Sequence, residues 1–242
     1  WGSLLGVLTK YVDLDLSVST MTGTEFNPFS ANTGEKYIVS LTLPTTAQSI
    51  RWGTATDPTF RYFTVLKEIS GANVTTISHN AFQRCTALTS VNLPAASSIG
   101  DMAFKDCSTL TSVNLPAASS IGKYAFEGCS TLTSVNLPAA SSIGNYAFYV
   151  CSALTSVSLP VATSIDDYAF YGCSALTSVS LPAASSIGEM AFYRCSALST
   201  VSLPANCDIA SDNTIHDNFK AYYDGKGELQ GTYTYSGGWT GP

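Results

Sequence analysis

A repeat of 22 residues runs through the middle of the chain and limits how it can fold. The stretches AFKDCSTLTSVNLPAASSIG, from Ala103, and AFEGCSTLTSVNLPAASSIG, from Ala125, differ at only two positions. A fixed period of roughly 20 to 50 residues is typical of stacked repeats, so each unit is expected to form one coil. Four residue types keep the 22-residue step in six copies: Pro94, Pro116, Pro138, Pro160, Pro182 and Pro204; Cys85, Cys107, Cys129, Cys151, Cys173 and Cys195; Phe82, Phe104, Phe126, Phe148, Phe170 and Phe192; and Leu88, Leu110, Leu132, Leu154, Leu176 and Leu198.

The apolar positions predict how one unit folds. Val113 and Leu115 alternate with Asn114, which is typical of a short strand with one buried face. Pro116 ends this strand because proline lacks the N–H that a sheet requires. Beyond the proline, apolar side chains at helical spacing predict one short helical or 3₁₀ turn. These side chains are Ile121, Ala125, Phe126 and Cys129.

A single unit has too few inward side chains to close a core, so the units must stack. Each strand then pairs in parallel with its copy in the next coil, about 4.8 Å away, and identical side chains form ladders through a continuous interior. A glycine precedes the turn in four copies, and Asp166 and Ser78 replace it in two others. We expect this glycine to provide a positive φ. The four glycines are Gly100, Gly122, Gly144 and Gly188.

The repeated pattern LTSVNLPAASSIGxxAFxxCS resembles the BspA-like, or Treponema-type, leucine-rich repeats of surface and secreted proteins from host-associated bacteria. The resemblance covers residues 74–206, where Leu-Pro, Ile-Gly, Ala-Phe and Cys recur in order. It implies a right-handed parallel β-solenoid of leucine-rich-repeat type that binds other macromolecules, usually in adhesion to host or bacterial surfaces. It implies no catalysis and no cofactor.

The flanking regions follow the repeat less closely. Residues 1–73 are expected to form degenerate N-terminal repeats with an irregular insertion, residues 74–206 the regular repeats, and residues 207–242 a C-terminal cap, all in one continuous domain. Val12 to Val18 and Ile38 to Pro44 alternate like the repeat strand, whereas residues 51–73 do not fit the register. In the tail, Asp224-Gly225 is expected to turn a hairpin back onto residues 231–235, because an open solenoid end needs a cap.

Charge and hydropathy argue against two classes of partner. A net charge of −6 and a pI near 4.7 are unsuited to nucleic acid, whose phosphates require clustered lysine and arginine. No apolar run approaches the roughly 18 residues of a transmembrane segment. The N-terminus lacks both Met and a basic region, so we expect a trimmed mature piece from which any export signal would be missing. A location at the cell surface or outside the cell is implied by the resemblance alone.

The seven cysteines favour buried free thiols over disulfides or a metal site. Six of them fall in one inward column, where parallel side-chain directions are the wrong geometry for bridging. No Cys-x-x-Cys pair is present, and His79 and His216 lie outside the column, so zinc is not expected. The cysteine count therefore does not identify a redox compartment.

No catalytic arrangement can be proposed from the spacing of the residues. The two histidines are far apart in sequence, and the repeat accounts for the many serines. The adjacent Asp166 and Asp167 fit a solvated turn better than an acid/base pair. The repeat strands between Leu88 and Pro204 carry no charge. We therefore expect no enzyme activity.

The positions that vary between copies indicate a first candidate binding surface. Charged residues of the repeats fall in the segment around Ala-Phe, which is therefore expected to face water. On a helical projection, the column of Glu127 lies about 175° from the centre of the buried stripe and the column of Tyr124 about 125° from it. Exposed tyrosines provide large contact area at low entropic cost, although they also shield turns. The candidate partner-binding residues are Tyr149, Tyr171 and Tyr193 in the first column and Tyr124, Tyr146 and Tyr168 in the second.

The strand face is a rival binding surface. It is flat, neutral and nearly invariant, which suits a repetitive ligand such as a glycan. Its residues include Ser90, Asn92, Ser112, Asn114, Ser134 and Asn136. Two function classes therefore stay open: a protein-binding adhesin module that contacts host extracellular or bacterial surface proteins, and a carbohydrate-binding module or structural spacer.

Overall fold

Each repeat forms one coil of a parallel β-solenoid of leucine-rich-repeat type, as predicted. The structure, a computed structural model, describes residues 12–18, 23, 25–26, 37–50, 65–211, 214–215, 219–236 and 238–242. Within these residues each coil contributes two short strands, where the sequence predicted one. The second strand, Ser-Ile in most copies, is too short to give a periodic signal of its own.

The strands of successive coils stack into two sheets. In the described part of the chain, the first sheet has eleven strands and the second has nine. The strands of the first sheet are Val12–Asp15, Ile38–Thr42, Glu68–Ser70, Ser90–Asn92, Ser112–Asn114, Ser134–Asn136, Ser156–Ser158, Ser178–Ser180, Thr200–Leu203, Gly231–Tyr235 and Trp239–Thr240. The strands of the second sheet are Glu25–Phe26, Ser49–Ile50, Thr76–Ile77, Ser98–Ile99, Ser120–Ile121, Ser142–Ile143, Ser164–Ile165, Ser186–Ile187 and Asp208–Ile209.

The register places like residues above one another. Ser112 pairs with Ser134, Val113 with Val135 and Asn114 with Asn136. Because the pairing is in register, each side chain meets the residues at the same repeat position in the coils on either side. The six repeat phenylalanines are fully buried, and their rings stack 5.0–5.1 Å apart from Phe82 to Phe192. The predicted shared interior is thereby confirmed.

The segment around Ala-Phe is not the helical or 3₁₀ turn that the sequence predicted. It consists of consecutive turns with two left-handed positions in each coil. The N–H of each repeat phenylalanine donates to the next coil, as Phe126 does to the carbonyl of Ala147 at 2.7 Å. These bonds between coils hold non-glycine residues at a φ that is normally unfavourable. The first left-handed column, at φ of 52–59°, is Asn80, Met102, Tyr124, Tyr146, Tyr168 and Met190; the second, at φ of 58–74°, is Arg84, Asp106, Gly128, Val150, Gly172 and Arg194.

The four glycines that precede the turn, here called the glycine column, do not adopt the positive φ that the sequence predicted. Their presence has a different cause. A Cβ on Gly122 would lie 2.6 Å from the backbone nitrogen of Asp101 in the preceding coil, and a Cβ on Gly100 would lie 2.5 Å from that of His79. Glycine is required because two backbones approach too closely for a side chain.

The regular coils begin earlier than the sequence indicated. Glu68–Ser70 pairs in register with Ser90–Asn92 on one side and with Ser40–Thr42 on the other. The expectation that residues 51–73 leave the register is therefore wrong for residues 65–73, while residues 51–64 lie outside the described residues. The expected strands near Val12 and Ile38 are confirmed, since Val12–Asp15 pairs in parallel with Ile38–Thr42.

A hairpin covers the C-terminal end of the first sheet, but it is not the hairpin that the sequence predicted. Asp224 and Gly225 belong to the helix Phe219–Gly225, the one helix in the described part of the chain. Gly231–Tyr235 instead pairs antiparallel with the last coil strand and with Trp239–Thr240. The ring of Phe219, in the helix, packs edge to face on the ring of Trp239, in the hairpin, at 4.5 Å.

Candidate functional site

The variable positions of the repeats lie together on one side of the solenoid, here called the turn face. It comprises residues 79–84 and their copies 101–106, 123–128, 145–150, 167–172 and 189–194. Within each segment the alanine and phenylalanine point inward and are fully buried. The remaining side chains are half-buried or exposed. The rigid coil therefore fixes their positions without constraining their identity.

Six tyrosines on the turn face form one continuous cluster, here called the tyrosine surface: Tyr124, Tyr146, Tyr149, Tyr168, Tyr171 and Tyr193. The rings of Tyr146 and Tyr168 stack 4.8 Å apart and are inclined by only 1°. Those of Tyr149 and Tyr171 stack at 5.0 Å. The two columns meet where Tyr146 lies 5.5 Å from Tyr149. The sequence predicted two separate columns, and the structure joins them.

The relative exposure of the two columns differs from the prediction. The helical projection placed the column of Tyr149, Tyr171 and Tyr193 opposite the core. In the structure all six tyrosines are half-buried, because the segment is not helical and its left-handed residues bring both columns to one side. Burial and the neighbouring tyrosines raise the pKa of Tyr146, as does the nearby Asp167.

Cations from this chain lie over two rings of the tyrosine surface. At its N-terminal end the amines of Lys105 and Lys123 lie 5.2 Å and 5.0 Å from the ring centre of Tyr124. Toward its C-terminal end the guanidinium of Arg194 lies 5.6 Å from the ring centre of Tyr171. These residues were not singled out as binding residues from the sequence, although their column positions could have indicated them.

Acidic residues occupy both halves of the turn face but differ in their partners. In the N-terminal half, Glu127 pairs with Lys105 at 2.6 Å, Asp106 with Arg84 at 3.6 Å and Asp101 with His79 at 3.8 Å. In the C-terminal half, no described basic side chain lies within ion-pair distance of Asp166, Asp167 or Glu189.

An open cleft of about 290 Å³ lies at the coil where Asp166 replaces the column glycine. Asp167 and Asp208 also line it. Burial and the neighbouring Asp167 raise the pKa of Asp166. Asp167 accepts a hydrogen bond from the backbone N–H of Glu189 at 2.8 Å, so it supports a turn, as the sequence indicated.

The strand face presents the predicted polar array. Asn92, Ser112, Asn114, Ser134 and Asn136 are exposed, and Ser90 is half-buried. Part of the hydrogen-bonding capacity is used internally, because the amide of Asn114 donates to the side-chain oxygen of Asn92 at 3.4 Å.

The pattern of the BspA type leucine rich repeat region matches residues 32–140 and 119–220, in six copies. The chain belongs to this family. No curated protein matches the chain significantly. The BspA-type repeats therefore account for the two sheets, the buried ladders and the turn face.

Solved structures of bacterial leucine-rich repeat proteins share the fold. A leucine rich cell surface protein of Faecalibacterium prausnitzii is 28% identical with a TM-score of 0.59; the alignment covers 81% of this chain and 51% of that one. A leucine rich repeat protein of T. pallidum is 24% identical with a TM-score of 0.58, covering 66% of this chain and 83% of that one. A leucine-rich repeat protein of Eubacterium ventriosum is 20% identical with a TM-score of 0.51; the alignment covers 86% of this chain and 65% of that one. This BspA-type chain thus spans about half the length of the F. prausnitzii protein.

The cysteines of the BspA-type coils form a buried ladder of free thiols. From Cys107 to Cys195 the thiol donates to the carbonyl of the phenylalanine one coil earlier, as Cys129 does to Phe104 at 3.2 Å and Cys151 to Phe126 at 3.1 Å. Burial raises the pKa of the Cys129 and Cys151 thiols, which keeps them protonated. The six repeat cysteines therefore pack in the interior as free thiols, as the sequence predicted.

The remaining polar groups do not assemble into a chemical site within the described residues. His79 lies on the turn face, and His216 lies outside the described residues. Among the residues with described positions, no three His, Cys, Asp or Glu side chains are arranged to hold a metal ion. The described helix is too short and polar to cross a membrane, and no other described segment forms a helix that could.

Proposed function

We propose that this chain is a non-catalytic binding module of a bacterial surface or secreted protein, and that it contacts a protein partner through the tyrosine surface. The tyrosine surface carries this proposal. It is a contiguous aromatic patch in which Tyr149 and Tyr171 are held 5.0 Å apart by coils stacked in register. Rigid tyrosines provide contact area with little loss of conformational freedom on binding, and aromatic anchors supply much of the energy of protein interfaces.

The location outside the cell is part of the same proposal. It is supported by family membership and by the F. prausnitzii relative, which is described as a cell surface protein. Adhesion to host or bacterial proteins is the role that fits a repeat scaffold whose variable residues cluster on one face.

Binding of a glycan to the strand face, or a purely structural spacer role, is the alternative. The observation that favours it is the register of Ser112 with Ser134 and of Asn114 with Asn136, which repeats identical hydroxyl and amide groups at the strand spacing. The internal bond between Asn114 and Asn92 weakens this alternative because it uses groups that a sugar would need.

The decisive experiment compares two faces of the same coils. The variant Tyr149→Ser/Tyr171→Ser/Tyr193→Ser removes half of the tyrosine surface, and Ser112→Ala/Ser134→Ala/Ser156→Ala alters the strand face as a matched control. Both are screened with the parent chain against immobilised host extracellular proteins, bacterial surface proteins and a glycan array. We expect a protein ligand whose affinity falls about tenfold or more in the tyrosine variant only.

A third variant separates binding from folding. Tyr149→Phe/Tyr171→Phe/Tyr193→Phe keeps the ring stacks, which contribute roughly 0.5–1.5 kcal/mol each, and removes only the hydroxyls. Melting temperatures are measured for all variants. If the serine variant melts like the parent and retains full affinity for the captured protein, the tyrosine surface is not the contact. Glycan binding lost only in the strand-face variant establishes the alternative instead.

A further inference from the structure

We infer that the tyrosine surface recognises a basic protein segment, in which arginine side chains donate to the tyrosine hydroxyls and to the carboxylates of Asp167 and Glu189. The inference rests on the proposed function and adds the chemical class of the partner. Two observations support it: the geometry of the tyrosine rings, and the negative charge of the C-terminal half of the turn face around them.

The stacked rings determine which ligand groups can be accommodated. Tyr146 lies parallel to Tyr168 at 4.8 Å and is also stacked on Tyr124 at 4.8 Å, so both faces of its ring are covered. A sugar ring that packs on an aromatic side chain needs an open face. What remains available on Tyr146 is the outer ring edge with its hydroxyl, whose oxygen accepts hydrogen bonds.

The charge around the rings is negative and unpaired toward the C-terminal coils. Between residues 128 and 206 the charged residues are Asp166, Asp167, Glu189 and Arg194. No described basic side chain pairs with any of the three acids. The acids of the N-terminal half, in contrast, have partners in the preceding coil, such as Lys105 for Glu127. A basic segment therefore complements the charge of the C-terminal half. It gains much less electrostatic attraction at the N-terminal half, because the acids there are already paired.

Backbone hydrogen bonds join Asp167 and Glu189 to tyrosines of the preceding coil. The N–H of Tyr146 donates to the carbonyl of Asp167 at 3.0 Å, and that of Tyr168 donates to Glu189 at 2.9 Å. Each acid therefore lies one coil beyond a tyrosine of the surface. Burial, the neighbouring tyrosines and Asp167 all raise the pKa of Tyr146, and Asp167 is the chain neighbour of Tyr168.

Arginine matches this surface better than lysine does. Its guanidinium has five N–H donors in a planar fork and no acceptor, so one side chain can reach a phenol oxygen and a carboxylate together. The chain contains an internal example of the aromatic contact, because the guanidinium of Arg194 lies 5.6 Å from the ring centre of Tyr171.

The test uses the whole chain and four fluorescent peptides of equal length. Each has a Gly/Ser backbone and carries four arginines, four lysines, four glutamates or no charge. Binding is followed by fluorescence anisotropy at two salt concentrations. We expect the arginine peptide to bind more tightly than the lysine peptide, and the glutamate and neutral peptides not to bind.

Two variants with the same change in net charge locate the site. Asp167→Asn/Glu189→Gln removes the unpaired acids, and the amide that replaces the first carboxylate retains an oxygen for the turn hydrogen bond. Asp106→Asn/Glu127→Gln removes paired acids. We expect the first variant to weaken arginine-peptide binding about tenfold, a loss typical of one charge-assisted hydrogen bond, and the second to weaken it less than about twofold.

The outcomes distinguish this inference from the proposed function. Equal losses in the two variants indicate general electrostatic attraction and overturn the inference, as does an arginine peptide that binds no better than the neutral one. If a protein ligand depends on the tyrosines while the arginine peptide fails to bind, the proposed function stands and the basic partner is wrong. Loss of arginine-peptide binding in both the tyrosine variant and Asp167→Asn/Glu189→Gln, with the control unaffected, supports the inference.

Discussion

The close approach of neighbouring coils can be tested by adding one methyl group at Gly122. A Cβ at this position would lie 2.6 Å from the nitrogen of Asp101, 2.7 Å from its Oδ1 and 2.7 Å from the carbonyl carbon of Gly100. Two of these three atoms belong to the backbone, so no side-chain rotation can relieve the contact. Gly122→Ala must therefore separate the two coils locally.

The size of the effect follows from the contacts that have to change. Ordinary contact begins near 3.4 Å, so the coils must part by roughly 0.8 Å, and overpacking of this kind costs about 1–3 kcal/mol. The hydrogen bond from the N–H of Gly122 to the carbonyl of Ile99, now 2.9 Å, weakens and adds up to about 1 kcal/mol. Alanine offsets about 0.4–1 kcal/mol of this loss of stability, because it lowers the conformational entropy of the unfolded chain. The net loss is about 2 kcal/mol.

The assay is thermal and urea unfolding followed by circular dichroism. For a chain of this size a loss of about 2 kcal/mol lowers the melting temperature by about 4–8 °C. Gly225→Ala is the control, because no atom outside the backbone of its own helix and its chain neighbours lies within 4 Å of a Cβ there, and it should leave the stability unchanged or slightly raised. A Gly122→Ala variant that is as stable as the Gly225→Ala control would refute the explanation of the glycine column.

Two further predictions concern the buried ladder and the acidic cleft. Cys129→Ala removes the thiol that donates to Phe104 at 3.2 Å and should lower the free energy of unfolding by about 1–2 kcal/mol; a urea midpoint equal to the parent's contradicts this. Thiol reagents should leave the native ladder unmodified and label it after unfolding, because burial raises the pKa of Cys129. Asp166 has a raised pKa in the folded state, so its contribution to stability is greatest below the unfolded pKa and is lost as the pH rises through the folded one. Asp166→Asn should therefore melt higher than the parent at pH 7, and the difference should vanish below about pH 4; a difference that persists at low pH has another cause.

The interior of the solenoid could be predicted from the sequence because its cause is periodic. Phe126 and Cys129 recur every 22 residues, and a column of identical apolar residues has one low-energy arrangement when coils stack in register. The same periodicity extends to Leu66, 22 residues before Leu88, and both side chains are fully buried. Reading the period backward from the regular repeats would have placed Glu68–Ser70 in the first sheet.

The conformation of the turn face could not be predicted in this way. Tyr124 has φ of 59°, a value that its side chain does not favour. It is held there by a hydrogen bond from its N–H to the carbonyl of Asn145 at 3.0 Å. This bond exists only when the next coil is in place, so local propensity carries no sign of it. The glycine column is similar, since the atoms that exclude a Cβ belong to another coil.

The same dependence on neighbouring coils explains why binding residues can vary without loss of the fold. The backbone N–H groups of Tyr124 and Tyr168 and their carbonyl acceptors form the bonds between coils, whereas the side chains project outward from them. Met102 and Met190 occupy the same left-handed column as the tyrosines, so the backbone tolerates different side chains there. The outer columns can consequently differ between coils while the buried ladder stays constant. The contrast between paired and unpaired acids on the turn face is a difference of this kind, and the proposed charge of the partner rests on it.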